Sequence, residues 1–299
     1  MPTPGALYWR LCRDLRRGPA ATWHATFTLP RIAAWRNRWS ALPPQPVPVH
    51  LLTGRDDWLL SAWMLASWFH ATGRNWTVVI HDDGTLPSEA APLFLRLFPD
   101  ARIIGRGEAD RLAADFLSPF PACAAYRRSH PLGLKIFDVP HQAAGGRYLL
   151  LDSDLLFFLP PVEILSWVDG TGDLCLFNRD IADGTLITAE QSGILGISLI
   201  GSINSGLCLI AENTIDYSLC ERALLETPIL QGHIWRVEQT LYALCASRRG
   251  AAFLPPSYEV SLGRNAAPDA VARHYVGAVR QRFYGEGLAR VKGVLLERS

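Results

Sequence analysis

Lysine is almost missing from this chain. Lys135 and Lys292 are its only two, against 27 arginines in 299 residues, so each lysine is unusual usage. Net charge is nearly missing as well. The formal balance is +1 at pH 7, which argues against bulk nucleic-acid binding. No two cysteines are spaced CxxC. Cys12, Cys123, Cys175, Cys208, Cys220 and Cys245 are scattered, several of them among apolar residues. That pattern argues against a zinc site and predicts small core thiols in a reducing, cytoplasmic compartment. No secretory leader is visible, because Arg10, Arg13, Arg16 and Arg17 interrupt residues 1–20. No uncharged run makes a convincing membrane span either. The longest, 191–211, is broken by Gly193, Gly196, Gly201 and Gly206. With 49% hydrophobic and 19% charged residues, a disordered chain is excluded. There is no internal repeat and no low-complexity segment.

What is present is unevenly placed. Residues 1–40 hold Arg10, Arg13, Arg16, Arg17, Arg31, Arg36 and Arg38 against Asp14, together with Trp9, Trp23, Trp35 and Trp39. Two readings stand for this arm. It lies on an anionic membrane surface, making the protein peripheral at the inner face of the membrane, or it packs along the body of the protein. Pro43, Pro44, Pro46 and Pro48 then form a joint that cannot be helical, and we divide the chain there into an extension, 1–45, and a domain, 46–299.

After the joint, strand and helix patterns alternate. Strands are expected at Val47–Leu52, Trp76–Ile80 and Arg102–Ile104, and helices at Asp57–Ala71 and Pro87–Phe98. Glu108–Gln142 reads as helical but broken at Pro119, Pro121, Pro131 and Pro140. The second half is less regular. Strands are expected at Asp173–Phe177, Ile203–Ile210, Ala252–Tyr258 and His274–Val276, and helices at Tyr217–Glu226 and Trp235–Ala246. Such alternation predicts an α/β protein with a mixed, mainly parallel sheet flanked by helices. Ligands bind such sheets beyond the carboxyl ends of the strands, and Thr53, Asp82, Asp83, Asp152 and Asp154 all fall at expected carboxyl ends.

The densest signal is Arg147–Phe158. Leu149, Leu150 and Leu151 run into Asp152-Ser153-Asp154, and Leu155, Leu156, Phe157 and Phe158 follow. The run reads as one strand buried on both faces. Two carboxylates belong there only if something offsets their charge. A divalent cation is the expected offset, since hard cations take carboxylate oxygens, and it would in turn hold a di- or triphosphate. The plainer alternative is a solvated turn at the strand's end.

Further on come Asn204-Ser205-Gly206, Glu238-Gln239 and His274-x-x-Gly277. In this order the residues resemble the GT-A (Rossmann-like) metal-dependent glycosyltransferases. They are most similar to family eight, the retaining group that includes glycogenin and bacterial lipopolysaccharide galactosyltransferases. The resemblance spans roughly 47–285 and leaves the arm out. It implies that Asp152, Asp154 and His274 hold Mn2+ (or Mg2+) and that Asp152, Ser153, Gly277 and Arg280 contact a nucleotide-sugar donor. Arg280 stands where the family carries a lysine, and the Lys-Pro-Trp ending of the family is absent. The resemblance also implies a basic donor contact at Lys135, for which a solvated lysine is the alternative. Asn204 would face the sugar, with Glu238 and Gln239 beside the anomeric carbon. Two further residues of that motif are replaced by Thr240 and Ala243. Thr53, Asp82 and Asp83 complete the expected donor site. The acceptor would be a glycan or glycolipid. Glu238 suits a general base in an inverting reaction, whereas neutral Gln239 positions or stabilises; the resemblance favours retention. Asp180 and Asp183 read as solvated loop residues or acceptor contacts. His24, His50, His70, His81, His130, His141 and His233 show no ligand spacing. Two other readings are kept open: a catalytically inactive nucleotide-sugar binder, and a haloacid-dehalogenase-type phosphatase, which also carries Asp-x-Asp but near its domain start.

Overall fold

A computed structural model describes residues 18–296. Its centre is a seven-stranded sheet in the order β3-β2-β1-β4-β7-β6-β8. The strands are Pro44–Thr53 (β1), Asn75–Asp82 (β2), Ala101–Ile104 (β3), Tyr148–Leu151 (β4), Cys175–Arg179 (β6), Ile203–Ile210 (β7) and Ala251–Phe253 (β8). β1, β2, β3 and β4 run parallel to one another, β7 is antiparallel to both β4 and β6, and β8 is parallel to β6. Leu155–Phe157 (β5), Tyr258–Val260 (β9) and Ala272–His274 (β10) form a second, small sheet.

The prolines do not delay β1. Pro44, Pro46 and Pro48 lie in its outer half, where pairing with β2 is irregular and β4 has not yet joined. Missing N–H donors are tolerated there. The Trp58–Thr72 helix is apolar nearly all round and buried along almost its whole length, as a helix clasped on several sides must be. Gly73 ends it at φ 63°, accepting the left-handed conformation that closes the last turn.

Three expectations are corrected. The run at Arg147–Phe158 is not one strand: β4 ends at Leu151 in the large sheet, and β5 starts at Leu155 in the small one. Periodicity cannot reveal this, because both halves are fully buried. Ala252–Tyr258 likewise divides between β8 and β9, with Pro255 and Pro256 between them. Pro140 does not break its helix, Gly133–Gln142, but sits in the last turn, where one lost ladder bond costs little. The other breaks hold, giving helices at Arg106–Phe116 and Pro121–Ser129.

The described part of the arm is packed down. Leu29, Ile32 and Trp35 are buried in the same core as Trp63, Phe69 and Phe98. Trp63 Nε1 donates to the Leu29 carbonyl at 2.8 Å, and the Trp35 ring meets Phe98 at 5.4 Å. Trp23 is 61% exposed. Trp9, Arg10, Cys12, Arg13, Arg16 and Arg17 lie outside the described residues. Cys123, Cys175, Cys208, Cys220 and Cys245 are buried. Among the described residues no helix is long and apolar enough to cross a membrane. His50 and His81 partner one another at 3.0 Å inside the sheet, and burial pushes the His81 imidazole down to about 3.

Candidate metal centre

The site sits where the two sheets part. Asp152, Ser153 and Asp154 form the turn between β4 and β5, and His274 ends β10, antiparallel to β5 and opposite Leu155. One ligand atom from each of Asp152, Asp154 and His274 falls within 4.8 Å of the others. His274 Nε2 is 3.0 Å from Asp154 Oδ1 and 3.8 Å from Asp152 Oδ2.

An irregularity in β7 builds the floor. Phe177 pairs with Cys208, yet the next residue of β6, Asn178, pairs with Asn204. Ser205, Gly206 and Leu207 are therefore extra, as in a bulge, a device common beside active sites. The freed Gly206 carbonyl accepts from the Asp152 amide at 2.8 Å, and the Ser205 carbonyl accepts from Lys135 Nζ at 3.2 Å. A Cβ on residue 206 would fall inside the His274 ring. This explains glycine at the third position of Asn-Ser-Gly on steric grounds.

The carboxylates are offset by protein cations as well as by any ion. Lys135 is buried and reaches Asp152 at 2.9 Å and Glu238 at 3.3 Å. Burial alone would lower its pKa, but the two carboxylates outweigh that and raise it. Lys135 is thus not solvated. Arg280 reaches Asp154 at 3.3 Å, Ser153 Oγ at 3.2 Å and Asp57 at 2.8 Å. Burial opposes ionisation of Asp154, yet His274 and then Arg280 overcome it, and its carboxyl is held below the usual range. The opposite balance holds for His274, where burial lowers the pKa but Asp154 and Asp152 raise it.

Glu238, expected beside a sugar carbon, is buried beneath Asp152. Its Oε2 accepts from Ser205 Oγ at 2.8 Å while Oε1 faces Lys135. Burial raises its pKa despite the lysine. Gln239 is half-buried, and its amide lies where a Cβ on Gly184 would go. Asn204, also expected at the sugar, touches His274 Nδ1 with Oδ1 at 2.8 Å. Thr53 is buried and accepts from Ser61 Oγ at 2.8 Å. Asp82 and Asp83 cap the turn after β2 by accepting from Gly84, Leu86 and Thr85 amides, and the Asp83 carboxylate presses on Gly54. Gly277 opens a short 3-10 turn after β10 that delivers Arg280. Asp183 caps Thr185 and Ser202. Asp57 carries no sequence signal beyond the start of a helix, because its pairing with Arg280 exists only in space.

The donor set fits a hard divalent cation. Two carboxylates and one imidazole converge, His274 keeps a ring nitrogen facing the aspartates, and the glycine at 206 leaves room for that ring. Such a cation would hold to Asp152, Asp154 and His274.

Fold and site together define a protein with the GT-A glycosyltransferase fold. Among solved structures, the chain is similar to the bifunctional glycosyltransferase WbbM, with a TM-score of 0.53 and 14% identity over 84% of this chain. It spans about half of that protein, 50%. It is also similar to mouse xyloside xylosyltransferase 1, at TM-score 0.46 and 11% identity, covering 78% of this chain and 98% of that one. A third is galactosyltransferase LgtC in complex with donor and acceptor sugar analogs, at 0.45 and 15%, covering 77% and 87%. No protein-family model matches the chain, and no curated protein matches it.

Proposed function

We propose that this protein is a metal-dependent glycosyltransferase. In this reading it moves a sugar from a nucleoside-diphosphate sugar, a UDP-sugar in the first instance, to a hydroxyl of a glycan or glycolipid acceptor. The observation that carries it is the convergence of Asp152, Asp154 and His274 at the carboxyl end of β4, with two buried or half-buried cations at hand. A bound Mn2+ or Mg2+ supplies Lewis acidity toward a leaving diphosphate. The residues of the chain do the remainder. Arg280 is already beside Ser153 and Asp154, and its fork of donors suits phosphate oxygens. Lys135 pins Asp152 from below. Gln239 is neutral and orients. Glu238 is tied to Lys135 and Ser205, so it is not free to act as a base, and the Gln239 amide is not basic. That supports retention, and family eight with it.

Thr53, Asp82 and Asp83 belong in this proposal to the nucleoside end of the donor. We further propose that the arm, 1–45, serves placement of the enzyme through its basic residues, at the inner face of the membrane and in surface-glycan or lipopolysaccharide synthesis, while Leu29, Ile32 and Trp35 tie it to the core of the catalytic unit, 46–299. Calorimetry with UDP-sugars, with and without Mn2+, tests the core of the proposal. Metal-dependent donor binding together with transfer or donor hydrolysis supports it. Equal affinity in chelator overturns the metal bridge, and binding without turnover leaves an inactive binder. Unchanged binding to anionic vesicles when Arg10→Gln, Arg13→Gln, Arg16→Gln and Arg17→Gln are combined overturns the placement role.

A further inference from the structure

Asn204 has every polar atom of its side chain engaged. Its Oδ1 accepts from the Gly206 amide at 3.1 Å and faces His274 Nδ1 at 2.8 Å. Its Nδ2 donates to Asp180 Oδ2 at 3.1 Å. The orientation of this amide is not arbitrary. A backbone N–H only donates, so the atom facing Gly206 is the oxygen. A carboxylate only accepts, so the atom facing Asp180 is the nitrogen. Since the oxygen also faces His274 Nδ1, that ring nitrogen carries the hydrogen. Nε2 in turn faces Asp154 Oδ1 at 3.0 Å, so without a cation it carries a hydrogen as well; a cation that displaces that hydrogen would meet a ring already held through its Nδ1–H. Asp180 is itself held: its amide donates to the Ser202 carbonyl at 2.7 Å, and its Oδ1 accepts from the Ile181 amide at 2.7 Å.

We propose that Asp180 and Asn204 are positioning residues, a relay running Asp180 to Asn204 to His274 that sets the tautomer and aim of the histidine. This rests on the metal-site reading above but adds to it. Asn204 acts through the imidazole, and Asp180, which follows β6, acts through Asn204. The β7 bulge makes the relay possible, because it brings Asn204 opposite Asn178 and turns the Gly206 amide toward Oδ1.

The test has two parts. The first uses the wild-type chain without metal, with 15N-labelled histidine. The proposal expects a His274 Nδ1–H held by Asn204 Oδ1 and protected from solvent exchange; a freely exchanging or missing Nδ1–H overturns it whether or not any metal binds. The second measures Mn2+ alone by electron paramagnetic resonance, without nucleotide. Losing a group that orients a metal-binding histidine typically costs about 10- to 100-fold in affinity. Asn204→Ala is expected to weaken Mn2+ in that range, and Asp180→Ala by several-fold, with the Nδ1–H protection reduced in both. Thr188→Ala removes a helix cap in the same region and touches neither residue; its Mn2+ affinity should match wild type. If Asn204→Ala fails to fold, Asp180→Ala still decides. An Asp180→Ala protein with wild-type Nδ1–H protection and affinity overturns the relay, as does an equal loss in Thr188→Ala. Failure of wild type to bind Mn2+ would instead strike the metal-site reading and leave the Nδ1–H result standing.

Discussion

Replacing Asp154 with asparagine separates two views of what holds its charge. If a cation alone offset the carboxylate, the metal-free protein would lose nothing, and relief of repulsion with Asp152 would stabilise it. The structure points the other way. Asp154 faces His274 at 3.0 Å and Arg280 at 3.3 Å, and Asp152 already has Lys135 at 2.9 Å. A hydrogen bond to a charged group is worth about 1.5–3 kcal/mol. The Arg280 side chain is 38% exposed, so its share is small after screening. His274 can shed its proton, which caps the loss. We therefore expect Asp154→Asn to cost about 1–2 kcal/mol in chelator, or roughly 2–6 °C in Tm for a chain of this size. The pH matters. Stability from the raised His274 pKa is lost as pH rises through that value, and stability from the lowered Asp154 pKa is lost as pH falls through its own. The difference is largest between them, near about pH 6. Denaturant unfolding there, with and without chelator, is the assay. With Mn2+ at 100 times its Kd the wild type should gain about 2.7 kcal/mol, and the variant should gain little. A variant as stable as wild type in chelator, or more so, would refute the reasoning.

Three other outcomes follow from the geometry. Gly206→Ala places a methyl inside the His274 ring, so Mn2+ binding should vanish while unfolding shifts by about 1–3 kcal/mol; calorimetry showing retained Mn2+ binding would contradict the cradle. Trp35→Ala should cost about 3–5 kcal/mol, since this ring is 3% exposed and packed on Phe98; a loss below about 1 kcal/mol in urea would mean the arm is not part of the core. Mn2+ affinity should fall on acidification from a pH above the usual imidazole range, because the proton that Asp154 favours on His274 competes with the ion. Affinity flat between pH 8 and 6 by titration would count against His274 as a ligand.

Much of this was readable one residue at a time. β7 occupies Ile203–Ile210 and a helix occupies Tyr217–Glu226, as their apolar pattern and flanking polar residues predict. The Asp-Ser-Asp turn announced itself because charge is out of place in an apolar run. What escaped is what needs a second partner. Nothing in Leu149–Phe157 says that its halves join different sheets, since full burial erases periodicity. Nothing near Lys135 names Asp152 and Glu238 as its partners. The resemblance puts Asn204 at the sugar, whereas its contacts to His274 and Asp180 depend on a bulge that local propensity does not encode.

The bulge at Ser205–Leu207 also bears on when the site can exist during folding. The Asp152 amide is satisfied only by a carbonyl from β7, and His274 arrives from near the end of the chain. A growing or partly folded chain that has made β1 to β4 therefore owns the two aspartates but not their geometry. A metal held by Asp152, Asp154 and His274 would find its full ligand set only in the finished state, so added Mn2+ should slow unfolding and leave the refolding rate unchanged.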